Sequence, residues 1–187
     1  MGRVFNLNDR VFPIFFLYCE LISEHLYYKD IMSYNNILKA RLAGMFCDYI
    51  KTCPDIETFN DFVQDRIEWI ESAVNERGDG GYYPLDIICL HKDHDLAERM
   101  FDVISEYIDD FETESGYYGT TPLYYAVCAG NVDLVKTLVR EFRADIRHSD
   151  ELGRNALNTA KDLTNEHPDS DNWKEIYEFL CRNIRED

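Results

Sequence analysis

The chain has 187 residues, 36 of them acidic and 19 basic, for a formal charge of −17 and a pI of about 4.6. A composition that is 45% hydrophobic and 14% aromatic excludes disorder as the main state and suits one domain, or one plus a small extension. The acidic balance argues against nucleic acid and against an anionic membrane as partners. It fits a basic protein partner, and equally a surface charged for solubility.

Six cysteines stand at 19, 47, 53, 89, 128 and 181, none in a C-x-x-C pair. Cys19, Cys47, Cys89 and Cys128 fall in apolar helical stretches, where a free thiol acts as a small hydrophobe. The spacing reads as a reducing compartment rather than a disulfide scaffold. The apolar run Val11 to Cys19 contains Pro13 and stops at Glu20, well short of the roughly 20 residues a membrane span needs. No targeting or lipidation motif is visible, so the expected location is cytoplasmic.

In chain order, residues 11–28 read as a helix apolar on most faces. A second helix is expected over about 34–51 with Ser33 as its N-cap and with Ile37, Leu38, Leu42, Met45, Phe46 and Tyr49 at helical spacing. Pro54 and Asp55 open a third, whose stripe is Ile56, Phe59, Val63, Ile67, Ile70 and Val74 in steps of three and four. Gly78-Asp79-Gly80-Gly81 ends it.

Beyond that break the pattern repeats. Three tracts open at Gly81-Tyr82-Tyr83-Pro84-Leu85, Gly119-Thr120-Thr121-Pro122-Leu123 and Gly153-Arg154-Asn155-Ala156-Leu157, with spacings of 38 and 34 residues. Each leads into a short apolar helix, a polar break and a second apolar helix. Such a period signals stacked helix pairs. Proline suits a first helical turn, Thr121 is a candidate cap, and Gly130-Asn131 supplies a left-handed turn between antiparallel helices. Val135, Leu138 and Val139 are the expected buried face of the second helix. Tyr107 to Ser115 carries four acids and no base, and reads as an acidic insertion in a solvent-exposed loop.

The middle tract carries a family resemblance. Gly119-Thr120-Thr121-Pro122-Leu123-Tyr124-Tyr125-Ala126, then Gly130-Asn131, Val135, Leu138, Val139 and Ala144-Asp145, resembles an ankyrin repeat, best matched over 116–149. Tyr124 replaces the usual histidine, one extra residue falls within Arg140 to Arg143, and the usual glycine before Ala144 is missing. The third tract keeps Asp150, Gly153, Leu157 and Ala160. The first keeps Pro84-Leu85 but has Lys92 for the turn glycine and Ile88 for the small alanine. The resemblance implies an all-α chain: an ankyrin-repeat solenoid of antiparallel helix pairs over 78–187, preceded by an N-terminal helical region, 1–77, as a cap or divergent repeat.

Catalytic chemistry finds little footing. His91-Lys92-Asp93-His94-Asp95 has metal-ligand residue types, but no further histidine or cysteine is spaced to complete a site; Asp93 or Asp95 capping the next helix is the plainer reading. Cys128 is the nearest candidate nucleophile, and its apolar neighbours read as packing. The glycine run lacks the Lys-Ser/Thr of a phosphate loop. No cofactor and no catalytic residues are expected.

The tyrosines point elsewhere. Tyr82, Tyr83, Tyr117, Tyr118, Tyr124 and Tyr125 gather at the turns and first helices of successive tracts. Tyr83 and Tyr124 stand where the family has packed threonine and histidine. The resemblance implies a concave groove formed by turn tips and first helices, with Tyr117, Tyr118 and Tyr125 as partner-binding residues, extended by Glu151, Leu152 and Thr159. Tyrosine is common in binding hot spots. The expected function is therefore a non-catalytic protein-interaction module for a partner with a basic surface. Short divergent ankyrin chains of this type resemble those of viruses and intracellular bacteria that bind host proteins, and also small immunity proteins. The alternative is an acidic inhibitor or nucleic-acid mimic that blocks a basic target. The oligomeric state is not legible.

Overall fold

The computed structural model describes residues 28–184 except Asp79 and Tyr117, with side chains from Asn36 onward. The helix expected over 11–28 lies outside these residues but for Tyr28. The chain divides into two compact units, residues 1–38 and 39–187.

The first described helix, α1, spans Tyr28–Thr52. It runs through position 33, so Ser33 is not its cap. Its buried face carries Leu42, Phe46, Cys47 and Ile50. The single amphipathic helix expected from Ile56 to Val74 is instead two, α2 (Ile56–Gln64) and α3 (Ile67–Ala73). Asp55 caps α2 by accepting the Thr58 amide at 2.8 Å. The break falls at Arg66, whose backbone leaves the helical region (φ −136°, ψ 28°) and whose guanidinium lies 4.6 Å from the Phe62 ring centre. The bend lets Trp69 meet both Phe46 and Phe62 edge-on, at 6.0 and 5.6 Å between centroids. Aromatic packing wins over an unbroken stripe.

The three tracts each form a helix pair. These are α4 (Pro84–Cys89) with α5 (His94–Ile104), α6 (Pro122–Ala129) with α7 (Val132–Arg140), and α8 (Ala156–Glu166) with α9 (Asp171–Asn183). First helices lie side by side, α4 on α6 and α6 on α8; α2 lies on α5 and α7 on α9. Leu85, Ile88, Leu123, Ala126, Leu134, Val135, Leu138 and Ala160 fill the layer between the rows. Val139, expected in that layer, is only half-buried. Among the described residues the one β pairing is the antiparallel bridge Ser115–Thr120.

The glycines at the head of each tract all adopt left-handed backbone: φ is 81° at Gly81, 69° at Gly119 and 73° at Gly153. Gly130 ends α6 in the same region, φ 73°. Asn131 then caps α7, its side-chain oxygen accepting the Leu134 amide at 3.1 Å. Thr121, the other expected cap, makes no capping bond; Pro122 occupies the first turn there. The glycine missing before Ala144 is replaced conformationally by Arg143, a non-glycine residue at φ 56°. The Ala144 amide then returns to the Leu138 carbonyl at 3.0 Å, closing the helix end over the extra residue.

The acidic stretch 107–115 is not the freely solvated loop expected. Phe111 stacks on Phe142 with centroids 3.9 Å apart, and Phe142 meets Phe101 edge-on at 5.4 Å. The Glu112 carboxylate accepts the Asp145 amide at 3.1 Å, and the Asn75 side chain accepts the Asp109 amide at 2.9 Å. Ser115 is fully buried. A charged sequence is anchored here by its one phenylalanine and by backbone hydrogen bonds.

Candidate functional site

The turn tips are stitched to one another by backbone. The Gly116 amide donates to the Gly81 carbonyl at 2.8 Å, and the Glu151 amide to the Tyr118 carbonyl at 2.9 Å. Within the last tip, Asp150 is the organiser. One carboxylate oxygen accepts the amides of Leu152 and Arg154 at 3.0 and 2.9 Å, and the other accepts from the Arg154 guanidinium. Burial pushes the Asp150 carboxyl up, but these bonds outweigh it and hold it below the usual carboxylate range.

Arg154 links two tracts. Its guanidinium lies 5.6 Å from the Tyr118 ring centre and 5.3 Å from that of Tyr124, within cation–π range of both. Tyr118 remains 45% exposed and Leu152, on the adjacent tip, 57% exposed. Glu151 is exposed beside them. The result is an aromatic and aliphatic surface around a cation already neutralised by Asp150. Sequence reasoning missed Arg154; its spacing of four from an aspartate, beside a tip tyrosine, was the available clue.

Of the expected binding residues, Tyr118, Glu151 and Leu152 share this surface. Thr159, on α8, is half-buried and faces Tyr124. Burial raises the Tyr124 phenol, while Thr159 and Arg154 act in the opposite direction. Tyr117 lies outside the described residues.

Tyr125 is a correction. It is 8% exposed and belongs to the core. Its hydroxyl is 3.2 Å from the Ser115 hydroxyl, and its ring meets Tyr82 and Tyr124 edge-on at 5.7 and 6.1 Å. The turn that carries Ser115 folds over the start of α6 and covers the position the groove reading leaves open. Tyr83 and Tyr124, expected to be packed, are half-buried, and the Arg77 guanidinium lies 5.6 Å from the Tyr83 ring centre.

The histidine-rich turn does structural work. Asp93 caps α5 through the Leu96 amide at 3.0 Å. His94 Nε2 is 3.1 Å from the Ala129 carbonyl of the next tract. His91 Nδ1 faces the Asp93 backbone, accepting its amide at 3.2 Å. Among the described residues, no group of three His, Cys, Asp or Glu side chains is placed to hold a metal. Cys128 is half-buried, and burial pushes its thiol up despite Tyr124 and Arg154. Burial likewise pushes Cys47 up to about 12. These thiols are held protonated, the opposite of an activated nucleophile.

Residues 118–151 match the family model described as ankyrin repeat. The match lies two residues later than the span read from the sequence and takes in the helix pair α6–α7 with both flanking tips. This part of the chain is similar to an ankyrin repeat, a class generally used as a non-catalytic interaction domain. The chain matches no curated protein. Among the described residues, no helix is long and apolar enough to cross a membrane.

Proposed function

We propose that the chain is a non-catalytic adaptor that binds a basic segment of another protein on the surface formed by Tyr118, Tyr124, Glu151, Leu152 and Thr159. In this reading the three tracts form a short ankyrin solenoid over 78–187. The N-terminal helices of 1–77 act as its cap, α2 covering α5. The observation that carries the proposal is Tyr118 and Leu152 exposed on neighbouring tips around Arg154. Large apolar groups held by ordered backbone cost little entropy to bury in a partner. Because Asp150 neutralises Arg154, the exposed charge beside the tips is the carboxylate of Glu151, which favours lysine or arginine in the partner.

A second reading is the acidic inhibitor or nucleic-acid mimic. Its support is a different surface: Asp95, Glu98 and Asp102 on α5 stand near Asp133 on α7. Partial burial, then repulsion by those three aspartates, raises the Glu98 carboxyl.

Selection of a random peptide display library on the immobilised chain separates the two. The first reading expects enriched peptides combining Lys or Arg with apolar residues. Their binding should weaken at least tenfold in Tyr118→Ala/Leu152→Ala and only modestly between about 0.1 and 0.5 M salt. Peptides that bind the variant unchanged and are lost with salt would overturn it in favour of the acidic surface.

A further inference from the structure

The helix α9 has a face that the tip surface leaves unused. Among the described residues, an open groove of about 420 Å³ is lined by Tyr177, Glu178, Cys181 and Arg182. Tyr177 and Cys181, one turn apart, are half-buried, and Glu178 and Arg182 beside them are exposed. Another side of the helix is the packed one. There Ile176, Phe179 and Leu180 are buried, the Arg140 guanidinium of α7 lies 5.0 Å from the Phe179 ring centre, and Lys136 of α7 pairs with Glu175. Glu178 and Arg182 stand four residues apart, the spacing of an ion pair within a helix, yet no such pair forms. Arg182 instead donates its Nε–H to the Glu178 backbone carbonyl at 3.2 Å. The Glu178 carboxylate and the outer guanidinium nitrogens of Arg182 therefore have no partner among the described residues. Lys174, one turn earlier, does not reach Glu178 either.

Two unpaired charges of opposite sign, about 6 Å apart along one helix, complement themselves. A twofold axis brings the first residue of one copy to the second residue of the other, and the second to the first. We propose that this face of α9 docks on the same face of a second copy, the two helices antiparallel, with Glu178 of each copy against Arg182 of the other and with Tyr177 and Cys181 covered at the centre. A basic segment of the kind inferred for the tips does not suit this face, where Lys174 and Arg182 outnumber Glu178. An acidic segment would stand against Glu178. A second copy answers both charges with one contact. A single helix face is smaller than the roughly 800 Å² per partner of a standard interface, and each copy carries −17, so the association is weak, expected at about 0.1 mM and above. It is independent of what the tip surface binds.

The test is sedimentation velocity of the full chain from about 0.01 to 0.5 mM in about 0.15 M salt, which screens the general repulsion beyond about 8 Å. Wild type should move from monomer towards dimer over that range. Glu178→Arg sets arginine against arginine, and Arg182→Glu sets glutamate against glutamate, so each variant alone should associate at least about tenfold more weakly. An equal mixture of the two variants restores both pairs, because the arginines of one meet the glutamates of the other, and should associate like wild type. So should the double reversal Glu178→Arg/Arg182→Glu. A wild type that stays monomeric overturns the proposal, as do single variants that associate like wild type, or a mixture that fails to associate although both variants fold. A short bismaleimide gives a second readout on wild type: it should link two copies through Cys181 and leave Cys181→Ser unlinked. Linkage that Cys181→Ser does not reduce overturns the pairing.

Discussion

The Arg154 guanidinium is clamped by the Asp150 carboxylate, with Nε at 2.7 Å and Nη2 at 2.6 Å from Oδ2. The acid is buried, its side chain 1% exposed, while the arginine is 42% exposed. Arg154→Ala leaves the two backbone amides on Asp150 but removes its counter-charge. The expected loss is about 1–2 kcal/mol, less than for a fully buried pair, because the arginine is half in water. Since Asp150 is held below its usual 3.8, its contribution is present above that pH and is lost as pH falls below it. Urea melts at pH 7 and pH 3 should show wild type and variant converging in acid. A constant gap would mean that the pair does not organise the tip.

Gly78 closes against α1. A Cβ there would stand 2.8 Å from both Cα and N of Gly44, and backbone has little room to yield. Gly78→Ala should destabilise by about 1–3 kcal/mol, the range for overpacking. A melting temperature equal to wild type would show that the two segments separate without cost.

Two left-handed positions predict opposite signs. Gly130 has φ 73°, and a Cβ would meet the Trp173 ring at 3.2 Å; that indole donates to the Val127 carbonyl at 3.0 Å. Gly130→Val should cost at least about 2 kcal/mol. Arg143 takes a similar φ of 56° without glycine's freedom. Arg143→Gly should stabilise by about 0.5–1 kcal/mol, the left-handed penalty less the entropy of an added glycine. Equal changes in both melts would contradict this assignment.

Tyr125 separates packing from binding. Tyr125→Ala should cost about 3 kcal/mol through the cavity it leaves. Tyr125→Phe should cost about 1 kcal/mol through the Ser115 contact. If the alanine variant melted like wild type, the side chain would be a surface group after all.

The local code of the tracts was legible because turn chemistry is short-range. Gly81, Gly119, Gly130 and Gly153 sit where only a residue free of Cβ takes a left-handed turn cheaply, and Asn131 and Asp93 cap the helices they precede. The tip residues Tyr118, Glu151 and Leu152 followed from that register. Where longer-range contacts compete, the reading went astray. The stripe from Ile56 to Val74 reads as one helix, yet Trp69 meets Phe46 only because the chain breaks at Arg66.

The sequence by itself determined the helical class, the glycine turns of the three tracts and the likeness of 118–151 to an ankyrin repeat, all properties of neighbours along the chain. Only the tertiary structure decided which tyrosines remain open. Tyr118 and Tyr125 are both tyrosines of one tract, but the Ser115 turn folds over the second and leaves the first on a tip. It also decided that Asp86 lies buried with an unpaired oxygen and that Arg154 sits between two rings. Burial depends on which segments meet in space, and no local pattern encodes which face a neighbouring turn or tract will cover.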